Sequence, residues 1–242
     1  MRSVRLSRQQ DMNKGTMGVG FVLVPGAGGI GTPYWQHVTH RLEDAGHHAH
    51  VVDLPGGDRD AGLPEYAMLI EHAIRDCVAP VVVAQSLGGF SAVMACARVD
   101  ARELILVNAM VPEPGETPGD WWEATGAIDA RVIAAKKGRY SVEFDLATYF
   151  LHDLEPEDAA GVFADPGVEA DIAFGQPCDI AAWPDVPTTA VVGRDDRLFP
   201  VDFQLRLLRE RVGVDATVIP GGHLLALANP GGLADAVMSL AG

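Results

Sequence analysis

Apolar runs and amphipathic stretches alternate along this 242-residue chain. Runs rich in Val, Ile and Leu predict strands at about 20–25, 48–54, 80–85, 103–109, 188–193 and 215–220. Their near-continuous apolarity is what strands covered on both faces require. Helical patterns fall between them, at about 33–46, 64–77, 87–98, 200–211 and 229–241. Pro33, Pro64 and Pro200 stand near helix starts, where the first turn has no use for the missing N–H. The alternation predicts an α/β fold, a mostly parallel sheet of about six strands flanked by helices. One interval breaks the rhythm. Residues 111–187 are far longer than a crossover needs, and they hold most of the aromatic residues. Within them "DLATYFLHDLEPEDAAGVF" reads as helix. A long insertion after a strand is expected to form a lid over a site. Residues 19–242 therefore read as one domain with a helical lid insertion at about 111–187. Residues 1–18 show no apolar periodicity and are expected to be a disordered leader.

Charge narrows the partners. Asp plus Glu total 33 against 18 Lys plus Arg, a net charge of -15. Such a surface repels phosphate backbones and anionic lipid, so a small-molecule substrate is expected, with no nucleic acid and no membrane. No stretch approaches the roughly 20 apolar residues of a membrane span. The three cysteines, Cys77, Cys96 and Cys178, have neither metal-ligand spacing nor the pattern of a disulfide framework. They read as free thiols of a reducing, cytoplasmic compartment.

Four loops carry candidate chemistry. The first strand ends in "VPGAGGIG", where Gly26, Gly28 and Gly31 have the spacing G-x-G-x-x-G, and Asp53 closes the next apolar run. Those are ingredients of a dinucleotide site. There, however, the glycines open the helix itself, whereas here "TPYW" intervenes and the helix starts near Pro33. Asp53 then reads as a turn former in "DLPGGD". The third strand ends in "VVVAQSLGGFSAV", with Ser86 at the strand-to-helix turn between small Ala84 and Gly88. That is the nucleophile-elbow pattern, in which a sharp turn lifts the hydroxyl above the sheet. Asp195 and Asp196 follow the fifth strand in "AVVGRDDRLFP", and His223 follows the sixth in "TVIPGGHLL". Taken singly, each has an ordinary reading: a serine cap, an aspartate turn, a solvated histidine. The ordinary reading is kept for His37, His40, His47, His48, His50 and His72. Together, serine, aspartate and histidine fall in that order at the C-terminal edge of one parallel sheet, where ligands bind.

From about residue 20 to the C-terminus the sequence resembles the α/β-hydrolases, in their compact branch of esterases and hydroxynitrile lyases. The resemblance is weakest in the insertion. It implies Asp196 as the acid of a Ser86–His223–Asp196 triad, since the family's aspartate aligns four residues before Pro200. It implies that "VPGAGG" is the oxyanion loop, similar to the family's "HGAG" segment with Pro25 where histidine usually stands. The backbone N–H of Ala27 would then pair with that of Leu87, the residue after the nucleophile. The activity implied is hydrolysis of a small or medium apolar ester through an acyl-enzyme, with no metal and no cofactor. Trp121, Trp122, Tyr149, Phe150 and Phe163 are expected to supply an apolar wall, and His152 either touches substrate or caps a helix. Two alternatives stand beside this reading: a lyase on the same scaffold, and a non-catalytic small-molecule binding protein. The family's cyanohydrin lyases use a lysine from the lid to stabilise the departing cyanide. The basic residues of the insertion are Arg131, Lys136, Lys137 and Arg139, and three of these lie in "KKGR", which reads as a solvated helix end. Cyanohydrin cleavage is therefore not expected.

Overall fold

A computed structural model describes residues 18–164 and 167–242, apart from the side chain of Phe163. The leader expected over residues 1–18 lies outside the described residues except at Gly18. The six strands are β1 (Gly20–Val24), β2 (His48–Val51), β3 (Pro80–Gln85), β4 (Glu103–Val107), β5 (Thr188–Gly193) and β6 (Ala216–Ile219). They form one sheet in the order β2-β1-β3-β4-β5-β6, and every pairing is parallel. Every residue of β1 and β4 is buried, as their unbroken apolar runs require. The edge strands β2 and β6 are only partly covered. Strands β2 and β4 end before their apolar runs do. Val52 and Leu54 leave the sheet yet stay buried, and after β4 the backbone of Asn108 turns to a φ of 43°.

Side-chain alternation divides the core into two layers. Val22, Val24, Val82, Ala84, Leu104 and Leu106 point to one face, against α2 (Leu63–Asp76), α3 (Gly88–Cys96) and α9 (Val201–Arg211). Phe21, Leu23, Val81, Val83, Ile105 and Val107 point to the other, against α1 (Thr32–Asp44) and α11 (Pro230–Leu240). Helix α3 has no polar face because it lies wholly inside, with each of its residues buried.

The chain reverses direction across the sheet between β1 and β3. This topological switch sets the loops after those two strands side by side, with Val24 level with Ala84. Likewise Gly193 stands level with Ile219, so the loops after β5 and β6 adjoin. Between β4 and β5 lie α4 (Pro118–Ala124), α5 (Ala127–Gly138), α6 (Leu146–Tyr149), α7 (Pro156–Ala164) and α8 (Asp171–Gly175). The single helix expected over "DLATYFLHDLEPEDAAGVF" is instead two, α6 and α7. The Asp145 carboxylate caps α6 by accepting from Thr148 N at 2.7 Å. Pro156 starts α7 afresh, because proline disfavours helical backbone at the residue before it.

Candidate active site

Ser86 adopts a φ of 50°, a left-handed backbone rare for a residue with a side chain. Such a position costs on the order of 1–3 kcal/mol and persists only where its surroundings enforce it. Here Ser86 N donates to Val107 O at 3.3 Å, and Ser86 O accepts from Met110 N at 2.9 Å and Gly89 N at 3.0 Å. The small neighbours are sterically obligatory. A Cβ on Gly26 would lie 2.9 Å from the Ser86 Cβ, one on Gly88 2.3 Å from Pro25 O, and one on Gly89 2.2 Å from Met110 O.

The three predicted side chains meet. His223 Nε2 lies 3.0 Å from Ser86 Oγ, and His223 Nδ1 lies 2.9 Å from Asp196 Oδ2. A carboxylate only accepts, so Nδ1 carries the proton toward Asp196 and Nε2 accepts from the serine hydroxyl. His223 and Asp196 are 1% and 5% exposed, so bulk water cannot compete for these bonds. Asp196 is held in turn by Leu198 N at 2.8 Å and Phe199 N at 2.9 Å, both donating to Oδ1, and by Gln204 Nε2 at 3.2 Å, donating to Oδ2. Asp195 points elsewhere. Its carboxylate pairs with Arg194 and accepts from Gly221 N at 3.1 Å. Phe150 and Phe199 meet the His223 ring edge-on, each with centroids 5.0 Å apart.

Half of the N–H donors between Gly26 and Gly31 in the loop after β1 are engaged. Gly28 N donates to Glu169 Oε2 at 2.8 Å and Gly29 N to Gly26 O at 3.3 Å. Asp53 is more than a turn former. It accepts from Gly31 N at 3.1 Å, Thr32 N at 3.0 Å and Thr32 Oγ1 at 3.1 Å, and so caps α1 from the loop after β2. A carboxylate thus occupies the helix N-terminus that a pyrophosphate would need. Among the described residues, neither Ala27 N nor Leu87 N has a protein acceptor. The same holds for Gly26 N and Ile30 N; Ala27 and Leu87 are the two that the family resemblance implies as donors.

A cavity of about 420 Å³ opens over Ser86 and His223. Trp122, Phe144, Phe150, Phe174, Leu198 and Phe199 give it apolar walls, and Ala27 and Leu87 lie at its floor. A second cavity, of about 400 Å³, runs beside the glycine loop under α7, and the two share Ala27, Gln85 and Leu224. Of the aromatic residues expected at the wall, Trp122 and Phe150 line the first cavity. Trp121 does not. It is fully buried, its indole N–H donates to Val111 O at 3.0 Å, and its ring packs on Phe199 and Phe203, so it fastens the insertion to the body. Tyr149 is likewise buried and donates through its hydroxyl to Ser141 O. His152 is not at this cavity either. It lines a separate cleft with Asp153, behind the backbone of Gly222, and burial pushes its imidazole below the usual histidine value. Neither a lining of the Ser86 cavity nor a helix cap describes it.

The insertion's cations do not all lie in solvent. Lys136, Lys137 and Arg139 are exposed at the end of α5, as the sequence suggests. Arg131 departs from that picture, since it is one turn earlier on α5 and lines the Ser86 cavity. Four other residues of the site also escaped the sequence reading. Asn108, buried at the end of β4, donates through Nδ2 to Gly222 O at 2.9 Å and His223 O at 3.1 Å, and accepts from Gly193 N at 2.7 Å. It ties the acid and histidine loops together. Its signal was a polar residue at the same sheet edge as the other three loops. Gln204 stands at an apolar position of α9, beside Phe203 and with Leu207 and Leu208 a turn later, which marks an amide turned inward. Gln85 lies 3.4 Å from His223 Nε2 and separates the two cavities. Glu169 comes from the far end of the insertion, and nothing in its local sequence pointed to the glycine loop.

Comparison with known proteins places the fold and the family. The structure is similar to that of polyneuridine aldehyde esterase, with a TM-score of 0.75 at 18% sequence identity, covering 93% of this chain and 100% of that one. It is also similar to a pyrethroid hydrolase from Sphingobium faniae JZ-2, with a TM-score of 0.71 at 19% identity over 92% of this chain and 97% of that one. A methylesterase from Arabidopsis matches with a TM-score of 0.71 at 19% identity, over 92% of this chain and 98% of that one. At such identities these likenesses establish the fold alone. A search of curated proteins by sequence finds no match. The sequence model of the alpha/beta hydrolase family matches residues 21–236, nearly the whole described chain, and the protein belongs to that family.

Proposed function

We propose that this protein is a serine hydrolase that cleaves a small or medium apolar ester through an acyl-enzyme. One observation carries the reading. An unbroken hydrogen-bonded line from Asp196 through His223 to Ser86, with links of 2.9 Å and 3.0 Å, ends under an apolar cavity. His223 takes the proton from Ser86 Oγ as that oxygen attacks the ester carbonyl, and Asp196 stabilises the imidazolium that results. The carbonyl oxygen becomes an anion facing the N–H groups of Ala27 and Leu87. Losing one such donor costs about 3 kcal/mol of transition-state stabilisation. Collapse breaks the C–O bond, and the departing alkoxide takes the proton from His223 Nε2. Water then attacks the acyl-serine with His223 again as base, releasing the acid and restoring Ser86. The two cavities that meet at Ala27, Gln85 and Leu224 offer one compartment for each side of the ester. The insertion acts as the lid. The neighbours named above, an aldehyde esterase, a pyrethroid hydrolase and a methylesterase, favour ester chemistry over amide chemistry.

A panel of short-chain p-nitrophenyl esters tests this. The parent should turn them over, and Ser86→Ala should lose several orders of magnitude while keeping its melting temperature. Pocket binding without any serine-dependent turnover would instead favour a non-catalytic binding protein. Arg131 is the observation that keeps the lyase reading in view, because it brings a cation to the cavity wall. Serine-dependent release of cyanide from mandelonitrile, without ester turnover, would establish that reading in place of the hydrolase.

A further inference from the structure

Among the described residues, Arg131 is the one Arg or Lys side chain at the wall of the Ser86 cavity, among apolar and aromatic neighbours. Its guanidinium carbon stands 5.2 Å from the Tyr149 ring centroid and 5.8 Å from that of Phe144. Those two rings are stacked, with centroids 5.6 Å apart. The ring faces stabilise the charge, but they do nothing for the N–H donors, which lie in the guanidinium plane. Arg131 Nε is buried and has no hydrogen-bond partner, and among the described residues no carboxylate forms an ion pair with Arg131. Arg194, Arg206, Arg209 and Arg211 all pair with acids in this acidic chain. An arginine held by aromatic rings at a cavity wall, with donors unspent, is built for a planar anion that can take two parallel hydrogen bonds.

Its place along the cavity indicates which part of the substrate it meets. From the His223 ring, contacts run to Phe150 and on to Phe144, with centroids 5.0 Å and then 6.0 Å apart. Arg131 follows Phe144, which is 54% exposed and so forms the cavity's outer rim. The Phe150 and Phe144 rings therefore stand between the His223 ring and the guanidinium.

We propose that Arg131 binds a carboxylate at the distal end of the substrate, so that the ester cleaved is a half-ester: one carboxyl esterified at Ser86, an apolar spacer along the aromatic wall, and a free carboxylate at Arg131. This rests on the hydrolase reading for its chemistry, which adds water to the ester bond and yields a dicarboxylate and an alcohol. The net charge of -15 does not oppose it. Surface charges are screened beyond about 8 Å at physiological salt, whereas a cation in direct contact with its ligand against apolar walls is screened less.

The test compares monomethyl with dimethyl esters of succinate, adipate, suberate and sebacate. The series finds the spacer that reaches Arg131. In the parent, kcat/KM for the best monomethyl ester should exceed that for its dimethyl counterpart. Arg131→Met, which keeps the apolar stem, should lower it by about tenfold more than it lowers the dimethyl ester, and Arg131→Lys should recover part of the difference. Equal losses on both esters, or a parent that prefers the diesters throughout, would overturn the proposal. Calorimetric titration in a Ser86→Ala background separates it from the hydrolase reading. There the monomethyl ester should bind about tenfold more weakly once Arg131→Met is added, while the diester is little affected. If no ester is turned over yet this difference in binding holds, the hydrolase reading falls and the carboxylate site stands. If turnover is present and the binding difference is absent, the reverse follows.

Discussion

At the scale of single residues, the site depends on which of two adjacent carboxylates faces the histidine. Asp196 is set by three donors, two of them backbone N–H groups just ahead of α9, while Asp195 is turned outward to Arg194 and Gly221. The residues alone did not distinguish the pair, because both follow the same strand and either suits the start of a helix. What distinguishes them is the direction of the chain after β5, a property of the fold. Asp196→Asn should therefore lower kcat/KM by about three orders of magnitude or more, since an amide beside Nδ1 favours the wrong tautomer. Asp195→Asn should change it by no more than a few-fold, because the amide oxygen still accepts from Gly221. Steady-state kinetics on the two variants decide it, and equal losses would show that the carboxylate roles are misassigned. Ser86 and His223 were easier to read, Ser86 being a hydroxyl placed directly after β3 with Gly88 two residues on, and His223 an imidazole that follows Gly221 and Gly222 in the loop after β6.

At the scale of elements, the glycine loop is held in place by the insertion. Glu169 accepts from Gly28 N at 2.8 Å and from the Tyr66 hydroxyl at 2.7 Å, joining the β1 loop and α2 to the segment before α8. Burial holds its carboxyl above the ordinary value of 4.5, against the pull of those two hydrogen bonds toward the charged form. The folded pKa therefore lies above the unfolded one. The protonated acid contributes stability that is fully present below about 4.5 and is lost as pH rises through the folded value. Glu169→Gln, which stays neutral and still offers an oxygen to Gly28, should melt higher than the parent at neutral pH. The gap should close as pH falls to the unfolded value. A parent more stable than the variant at every pH would mean that the charged hydrogen bonds outweigh burial. This contact joins residues far apart in sequence, which is why no local pattern announced it. The same holds for Arg131. Its place in the insertion, shortly before the helix end at "KKGR", was visible, but only packing decides which side of a short helix faces the cavity. Pro156, by contrast, was in plain view and should have divided the helix drawn across it.

At the scale of the whole molecule, the functional edge follows from strand order. The reversal between β1 and β3 sets the glycine loop against Ser86, and β4, β5 and β6 then bring Asn108, Asp196 and His223 to the same rim. The central strands and five principal helices were legible because each buries a continuous apolar run or stripe, and the half-covered edge strands β2 and β6 because their Val and Ile residues stand between turn residues. The insertion was legible as an interruption but not as the five helices of its described residues, because its short segments are fixed by caps and by contacts such as Trp121 on Phe199 rather than by periodicity. The central claim is that Ser86 is a nucleophile activated by His223. Its most direct measurement is intact-mass and peptide mapping after reaction with a fluorophosphonate. The account predicts a single adduct on Ser86 in the parent, no adduct in Ser86→Ala, and labelling slowed by orders of magnitude in His223→Ala. An adduct on another serine, or labelling of Ser86 that is indifferent to His223, would contradict it.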